Sequence, residues 1–243
     1  MLMKHNFDII HEDEDIIVVN KPPFLLTIPD RFAPEKPNLF HQLNQQFGKV
    51  YIVHRLDKET SGILVFAKNE TAHKELSRQF QERTTDKVYF ALVEGNMHQE
   101  EGVIEKAIAP HPAHLDRMII MAKGKPSITH YKVAEHFKNY TLVEANIKTG
   151  RTHQIRIHFQ SIGYPLAVDA LYGRKDAFFL SDVKLKKFRL GKEEEERPMM
   201  IRSSLHASKL TFEHPGTGEQ ITFQAELPKD FAAVVKQLRK WGK

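Results

Sequence analysis

The chain has 243 residues, 41% hydrophobic and 28% charged, the balance of an ordinary globular protein long enough to bury a sizeable core. Lys and Arg number 36 against 31 Asp and Glu, a formal net charge of +5 with 14 His besides, and there is no Cys. These numbers exclude disulfides, thiolate metal sites and a Cys nucleophile, and they suit a polyanionic partner. No apolar run approaches the roughly 18 residues of a membrane-spanning helix, and Met1 to Asn6 carry no signal-like apolar stretch. A cytoplasmic protein without membrane association is the expectation.

In chain order, residues 15–20 read as a short apolar strand stopped by Lys21-Pro22-Pro23. A helical pattern follows over 38–47. The β-branched runs 50–53 and 63–67 predict two core strands joined by the polar loop 54–62. Asn69 is placed to cap a helix over 70–83, whose Ala72, Leu76 and Phe80 share one face. Further strands are expected over 87–94, 127–135, 140–147, 205–212 and 221–225, and a last helix over 229–241 after Pro228. Strands outnumber helices and often follow one another directly. The fold expected is therefore α+β, a mixed, mainly antiparallel sheet flanked by helices. One compositional break, 184–197, runs from lysines into Glu193 to Glu196 and reads as a surface insertion.

Phosphate-loop, dinucleotide, HExxH and GxSxG patterns are absent. The acidic run His11-Glu12-Asp13-Glu14-Asp15 lacks the glycine and final glutamate of a calcium loop, so it is expected as a solvated turn before a strand. Neither a nucleotide cofactor nor a bound metal is expected.

Chemistry concentrates in two segments. In His54-Arg55-Leu56-Asp57-Lys58-Glu59-Thr60-Ser61-Gly62, Asp57 sits among cations that favour its ionised, nucleophilic form; a turn capped by Asp57, with Gly62 supplying positive φ, fits the same spacing. In the second, Gly150 to His158, a helix capped by Thr152 would bury Ile155, Phe159 and Ile162. It would crowd Arg151, His153 and Arg156 near its first turns, where anions bind; a plain basic surface helix is the alternative.

The stretch HRLDKETSGILVFAKN resembles the signature of the pseudouridine synthases, in particular the family of large-subunit ribosomal RNA and tRNA enzymes. Asn20-Lys21-Pro22, Lys87-Val88-Tyr89, Gly150 to His158, Gly163-Tyr164-Pro165-Leu166, Asp169-Ala170-Leu171-Tyr172-Gly173 and Leu205-His206-Ala207 match its other motifs in order. The resemblance implies a single catalytic domain over 1–243, two sheet halves around a central active-site cleft. It implies isomerisation of a specific uridine, flipped out of a structured stem-loop of rRNA or tRNA, without a cofactor. By matched position Asp57 is the catalytic aspartate, Tyr89 the active-site tyrosine and Arg156 the partner of Asp57. His54, Arg55, Thr60, Arg151, His153 and Gln154 would contact substrate RNA, Arg55 by filling the space the base leaves.

Two departures stand out: no separate RNA-binding module is expected before the first strand, and the turn Pro22-Pro23-Phe24-Leu25 lacks an expected glycine. Arg78, Arg83 and Arg151 are then candidates for phosphate contact, and no protein partner is required. A catalytically silent RNA-binding protein on the same scaffold is the alternative reading. A glycosidase pairing Asp57 with Glu59 is a third, but it leaves the basic excess without a role.

Overall fold

The uninterrupted apolar stretches become the most deeply buried strands. β2 (Ile16–Lys21) and β4 (Ser61–Ala67) run antiparallel, from Ile16 opposite Ala67 to Lys21 opposite Gly62, and nearly every residue of both is buried. Burial on both faces is why these strands read as continuous rather than alternating apolar runs. The computed structural model describes residues 7–185, 188–189 and 195–242. They form two compact units.

The first unit comprises the described residues up to Val88 together with His206–Glu226. Its sheet has the order β1 (Asp8–Glu12), β2, β4, β11 (Leu205–Glu213), with β3 (Tyr51–Ile52) on β4 and β12 (Gln220–Gln224) on β11. Only the β4–β11 pair is parallel among the registers of this unit. α1 (Leu39–Phe47) and α2 (Glu70–Glu82) are each started by an asparagine: Asn38 Oδ1 accepts from the His41 N–H and Asn69 Oδ1 from the Ala72 N–H. Ala72 and Leu76 of α2 pack on Val18, Val65 and Phe212, and half-buried Phe80 joins them. Gln79 is buried on the same helix because its amide exchanges two hydrogen bonds with the backbone of Glu213.

The second unit comprises Tyr89–Leu205 and the described residues from Leu227 onward. β5 (Asp86–Glu94) enters it at Tyr89, and the strand order continues through β10 (Tyr140–Ile147), β9 (Ile128–His136) and β6 (Glu101–Glu105). β7 (Ile108–Pro110) and β8 (Met118–Ile120) form a separate antiparallel pair. α3 (Gln154–Ser161) and the short α4 (Ser181–Lys184) precede α5 (Lys229–Trp241), whose Phe231, Val234, Val235 and Leu238 fill a core with Leu92, Tyr140, Leu142 and Phe178. At the start of α5, the buried Arg202 guanidinium holds Asp230 in a fork of 2.7 and 3.0 Å while Nη1 reaches the carbonyls of Ser203 and Leu205.

The expected α+β class, with a mixed and mostly antiparallel sheet, is what the structure has. Three expectations need correction. The acidic stretch is not merely a turn before the first strand: His11 and Glu12 lie in β1, and only 13–15 turn into β2. Thr152 caps nothing, because α3 begins at Gln154 behind His153, which is left-handed at φ 55° and makes no side-chain cap. The anion-binding helix end is not formed either, since Gln154 to Phe159 are buried and Arg156 is committed to a carboxylate. The break at 184–197 lies partly outside the described residues.

Replacing Asp230 by Ala strands a fully buried guanidinium. The expected loss is about 3–5 kcal/mol, read as a lower urea midpoint for the transition that reports α5.

Candidate active site

Asp57 stands on an irregular segment between β3 and β4 whose backbone is tied at almost every step. The residue before it, buried Leu56, is clamped by one hydroxyl: Thr27 Oγ1 donates to the Leu56 carbonyl at 2.9 Å and accepts the Leu56 N–H at 3.2 Å. The residue after it, Lys58, offers its carbonyl to the Phe24 N–H at 2.8 Å and to the Lys21 ammonium at 3.2 Å. Asp57 itself accepts the Thr60 N–H at its own carbonyl, 3.1 Å away. Beyond Thr60, Ser61 Oγ meets His206 Nδ1 at 2.9 Å, and Gly62 holds φ 116° so close to the Ala207 backbone that a Cβ has no room.

Lys21 is the most unusual member. Its side chain is fully buried, and its ammonium reaches the carbonyls of Pro22 (3.0 Å), Leu25 (2.9 Å) and Lys58 (3.2 Å). An ammonium has three donors, and carbonyls on both sides of the turn are within their reach. Between them, Phe24 adopts φ 67°. The glycine missing from this turn is thus missed only in the sequence: the backbone takes the glycine conformation with a phenylalanine in it, at a cost of about 1–2 kcal/mol.

His54 is stacked on Phe80 with ring centroids 4.5 Å apart, Lys87 Nζ lies 5.2 Å from the Phe80 centroid, and His54 Nε2 accepts the Val65 N–H at 3.2 Å. Burial, aided by the Lys87 charge, lowers the imidazole pKa to about 3. The ring is neutral with its proton on Nδ1, and it braces the start of the Asp57 segment. Arg55 and Lys58 are exposed beside the half-buried Asp57, while Thr60 is buried.

In the second unit, Tyr89 is buried on β5. Arg156 is 5% exposed and forks onto buried Asp169 through Nε and Nη2, both at 2.7 Å. Burial alone would raise the Asp169 pKa, but the guanidinium and the N–H groups of Tyr172 and Leu171 bring it below the ordinary carboxylate range. The guanidinium also lies 5.1 Å from the centroid of Tyr172, whose hydroxyl meets His153 Nδ1 at 2.8 Å and accepts the Met118 N–H at 2.7 Å. Gln154 spends both amide ends inside this unit, accepting from Thr149 Oγ1 and the Arg151 N–H and donating to the Ile128 carbonyl and Thr129 Oγ1. Arg151 is half-buried. Asp169 and Tyr172, which belong to one matched motif, hold the Arg156 guanidinium through the fork and the ring contact.

Two other features of the sequence resolve differently. Arg78 is exposed and pairs with Glu75 and Glu82 on its own helix. Among the described residues one group has metal-ligand spacing, Asp13, Asp15 and His214. Its oxygens are engaged from within: Asp13 accepts the Asp15 and Ile16 N–H groups and faces His11 and His214, and Asp15 accepts the Asn69 amide. Burial opposes ionisation of Asp13, but the His11, Ile16, Asp15 and His214 hydrogen bonds prevail and set its pKa at about 2. The group fastens the β1–β2 turn.

Lys21→Met removes the ammonium from the Pro22, Leu25 and Lys58 carbonyls, of which that of Lys58 keeps a second donor, the Phe24 N–H; an expected loss of about 3 kcal/mol should appear as a lower unfolding midpoint of the first unit. For His54 the folded pKa of about 3 lies below the ordinary 6.5, so the unfolded chain binds the proton first as pH falls. Its contribution to stability is present above 6.5 and is lost as pH drops toward about 3. His54→Gln should therefore flatten the pH dependence of the urea midpoint across that window.

Comparison with known proteins places this geometry. Residues 15–161 match the family model described as RNA pseudouridylate synthase. The chain is 38% identical over 237 residues to the ribosomal large subunit pseudouridine synthase D of Nitrosomonas europaea, covering 95% of this chain and 65% of that protein. It is 41% identical over 243 residues to an uncharacterized RNA pseudouridine synthase of Aquifex aeolicus, covering 96% and 73%. The solved structure of human RNA pseudouridylate synthase domain containing 4 shares its fold with a TM-score of 0.73 at 22% identity, over 95% of this chain and 92% of that one. With Asp57, Tyr89 and Arg156 all inside the matched residues, the chain belongs to the RNA pseudouridine synthase family of isomerases.

Proposed function

We propose that this protein converts a specific uridine of large-subunit ribosomal RNA to pseudouridine, with Asp57 as the catalytic carboxylate, Tyr89 as the active-site phenol and Arg156 as the cation that orients the carboxylate. The observation that carries the reading is the fixation of Asp57. It lies inside the family-matched segment on backbone held from Thr27, Lys21, Phe24 and Thr60, next to exposed Arg55 and Lys58. A large-subunit target is supported by the name of the Nitrosomonas relative, and an RNA substrate by the formal charge of +5.

The reaction breaks the bond from ring nitrogen to the sugar and makes one from ring carbon 5, which then gives up a proton. A carboxylate and a phenol suit these tasks: the first reacts with or deprotonates the nucleoside, the second offers a flat face to the uracil and a hydroxyl for proton transfer. The nucleotide must first leave its stack, at a cost of a few kcal/mol. Arg55, beside Asp57 and exposed, is suited to the space the base leaves. His54, Thr60 and Gln154 are assigned to holding the segments that carry the reacting groups, as their buried hydrogen bonds indicate. Arg151 and His153 remain candidates for RNA contact. Arg156 must be tested with care, because its loss also strands buried Asp169.

Asp57→Asn is isosteric and is expected to abolish pseudouridine formation on ribosomal RNA from cells lacking the protein, mapped chemically, while RNA affinity stays within about twofold. Wild-type protein that adds no pseudouridine would identify a silent RNA binder instead. Substantial turnover by Asp57→Asn would remove the assigned role.

A further inference from the structure

Two phenylalanines of the first unit are displayed to solvent where packing alone would not put them. Phe24 is 47% exposed and sits at φ 67°, in a conformation that disfavours any residue with a Cβ. Its N–H donates to the carbonyl of Lys58, the neighbour of Asp57. Phe32 is 89% exposed at the tip of the following loop, with the Arg31 guanidinium 5.7 Å from its ring centroid. The tip is ordered by Asp30, whose Oδ1 accepts the N–H groups of Phe32 and Ala33 at 2.9 and 3.1 Å.

The tip belongs to the same neighbourhood. Thr27, at the root of the loop, clamps Leu56. Phe32 lies five residues beyond Thr27, and at about 3.6 Å per residue it is at most about 18 Å away. Hydrogen bonds from Phe32 and Ala33 lower the Asp30 pKa, and the charges of Lys36 and Lys58 lower it further, so the tip and the Asp57 segment share one field. Arg31, Lys36, Arg55 and Lys58 are all exposed. Exposed aromatics interleaved with cations are the pattern that binds single-stranded nucleic acid: rings stack on bases, and cations track the backbone. A backbone strain retained at an exposed residue points the same way.

We propose that Phe24 and the Arg31–Phe32 tip form a stacking platform for unpaired bases flanking the target uridine. It deepens the RNA-modifying reading by assigning recognition of the flanking single strand to residues outside the matched catalytic motifs. Extrusion of one nucleotide leaves its neighbours with an open face, and a ring on each side of the reacting loop can cover it.

The test is fluorescence anisotropy with labelled oligouridylate, all of whose bases are unpaired, beside a blunt RNA duplex of similar charge. Phe24→Gly and Phe32→Ala should each weaken oligouridylate binding by about 5- to 100-fold and leave duplex binding unchanged. Phe24→Trp and Phe32→Trp should restore it. Arg31→Gln should reduce the salt slope, whereas the Phe variants should not. Because glycine accepts φ 67° freely, Phe24→Gly should melt no lower than Phe24→Ala. If Phe24→Gly does not fold, Phe32→Ala and the Trp variants decide. Folded Phe variants that bind oligouridylate like the wild type, or lose duplex binding equally, overturn the platform. Asp57→Asn, assayed for binding here and for pseudouridine formation by chemical mapping, separates the two ideas: turnover by that variant defeats the catalytic assignment and leaves the stacking result standing.

Discussion

A buried ammonium that reaches three backbone carbonyls is the constraint on which the Asp57 segment of the first unit rests. Taking Lys21 out of water costs several kcal/mol, and charge-assisted hydrogen bonds to Pro22, Leu25 and Lys58 offset that cost. The exchange joins two segments far apart in sequence, the 22–25 turn and the Asp57 segment, at a distance set by one side chain. Thr27 adds a second tie one residue before Asp57. With Leu56 and Lys58 both tied, the Asp57 backbone is fixed from either side. A backbone pinned on both sides is how a loop, rather than a helix or strand, holds a side chain in one place.

The second unit holds a buried cation just as firmly. Arg156 is long and would otherwise sample many rotamers, but the Asp169 fork fixes its Nε–Nη2 edge and Tyr172 faces its plane. Tyr172 is in turn held by His153 and the Met118 N–H, and Gln154 secures the start of α3 to β9 through the Ile128 carbonyl and Thr129. The desolvation of Asp169 is outweighed because its oxygens collect charged and backbone donors together. The left-handed His153 belongs to this design: the chain turns sharply ahead of α3, and the ring is delivered to Tyr172 instead of capping the helix.

What could be read in advance was whatever local chemistry announces. β2, β4 and β10 are apolar runs bounded by breakers, α2 follows an asparagine cap with a four-residue apolar spacing, and α5 follows Pro228. The motif residues Asp57, Tyr89 and Arg156 were legible by resemblance. β6 was not, since only Ile104 along it is well buried, and a strand with one inward residue leaves no period to detect. β1 hides behind its acids because it lies at the end of the strand order, with Asp8, Ile9 and Glu12 exposed. Lys21 and Gln154 were illegible as structural elements for another reason. A polar side chain is expected at the surface, and only the three-dimensional supply of acceptors and donors makes burial tolerable.

Net charge proves a poor guide to where RNA is held. Arg78 is engaged by Glu75 and Glu82, Arg156 by Asp169, Arg202 by Asp230, Lys175 by Asp182 and Arg239 by Glu135. Arg156 and Arg202 are matched by carboxylates with their guanidiniums buried, whereas Arg78 and Arg239 are paired at the surface. The basic residues best placed around the Asp57 segment are few: Arg31, Lys36, Arg55 and Lys58, all exposed. Each phosphate neutralised on a single strand contributes about 0.7 to the salt slope, so so small a set yields a shallow dependence and a modest electrostatic affinity. Affinity for RNA under the proposed reading must then draw on contacts that salt does not screen. The strained and exposed Phe24, tied to the neighbour of Asp57, is the kind of surface such contacts need.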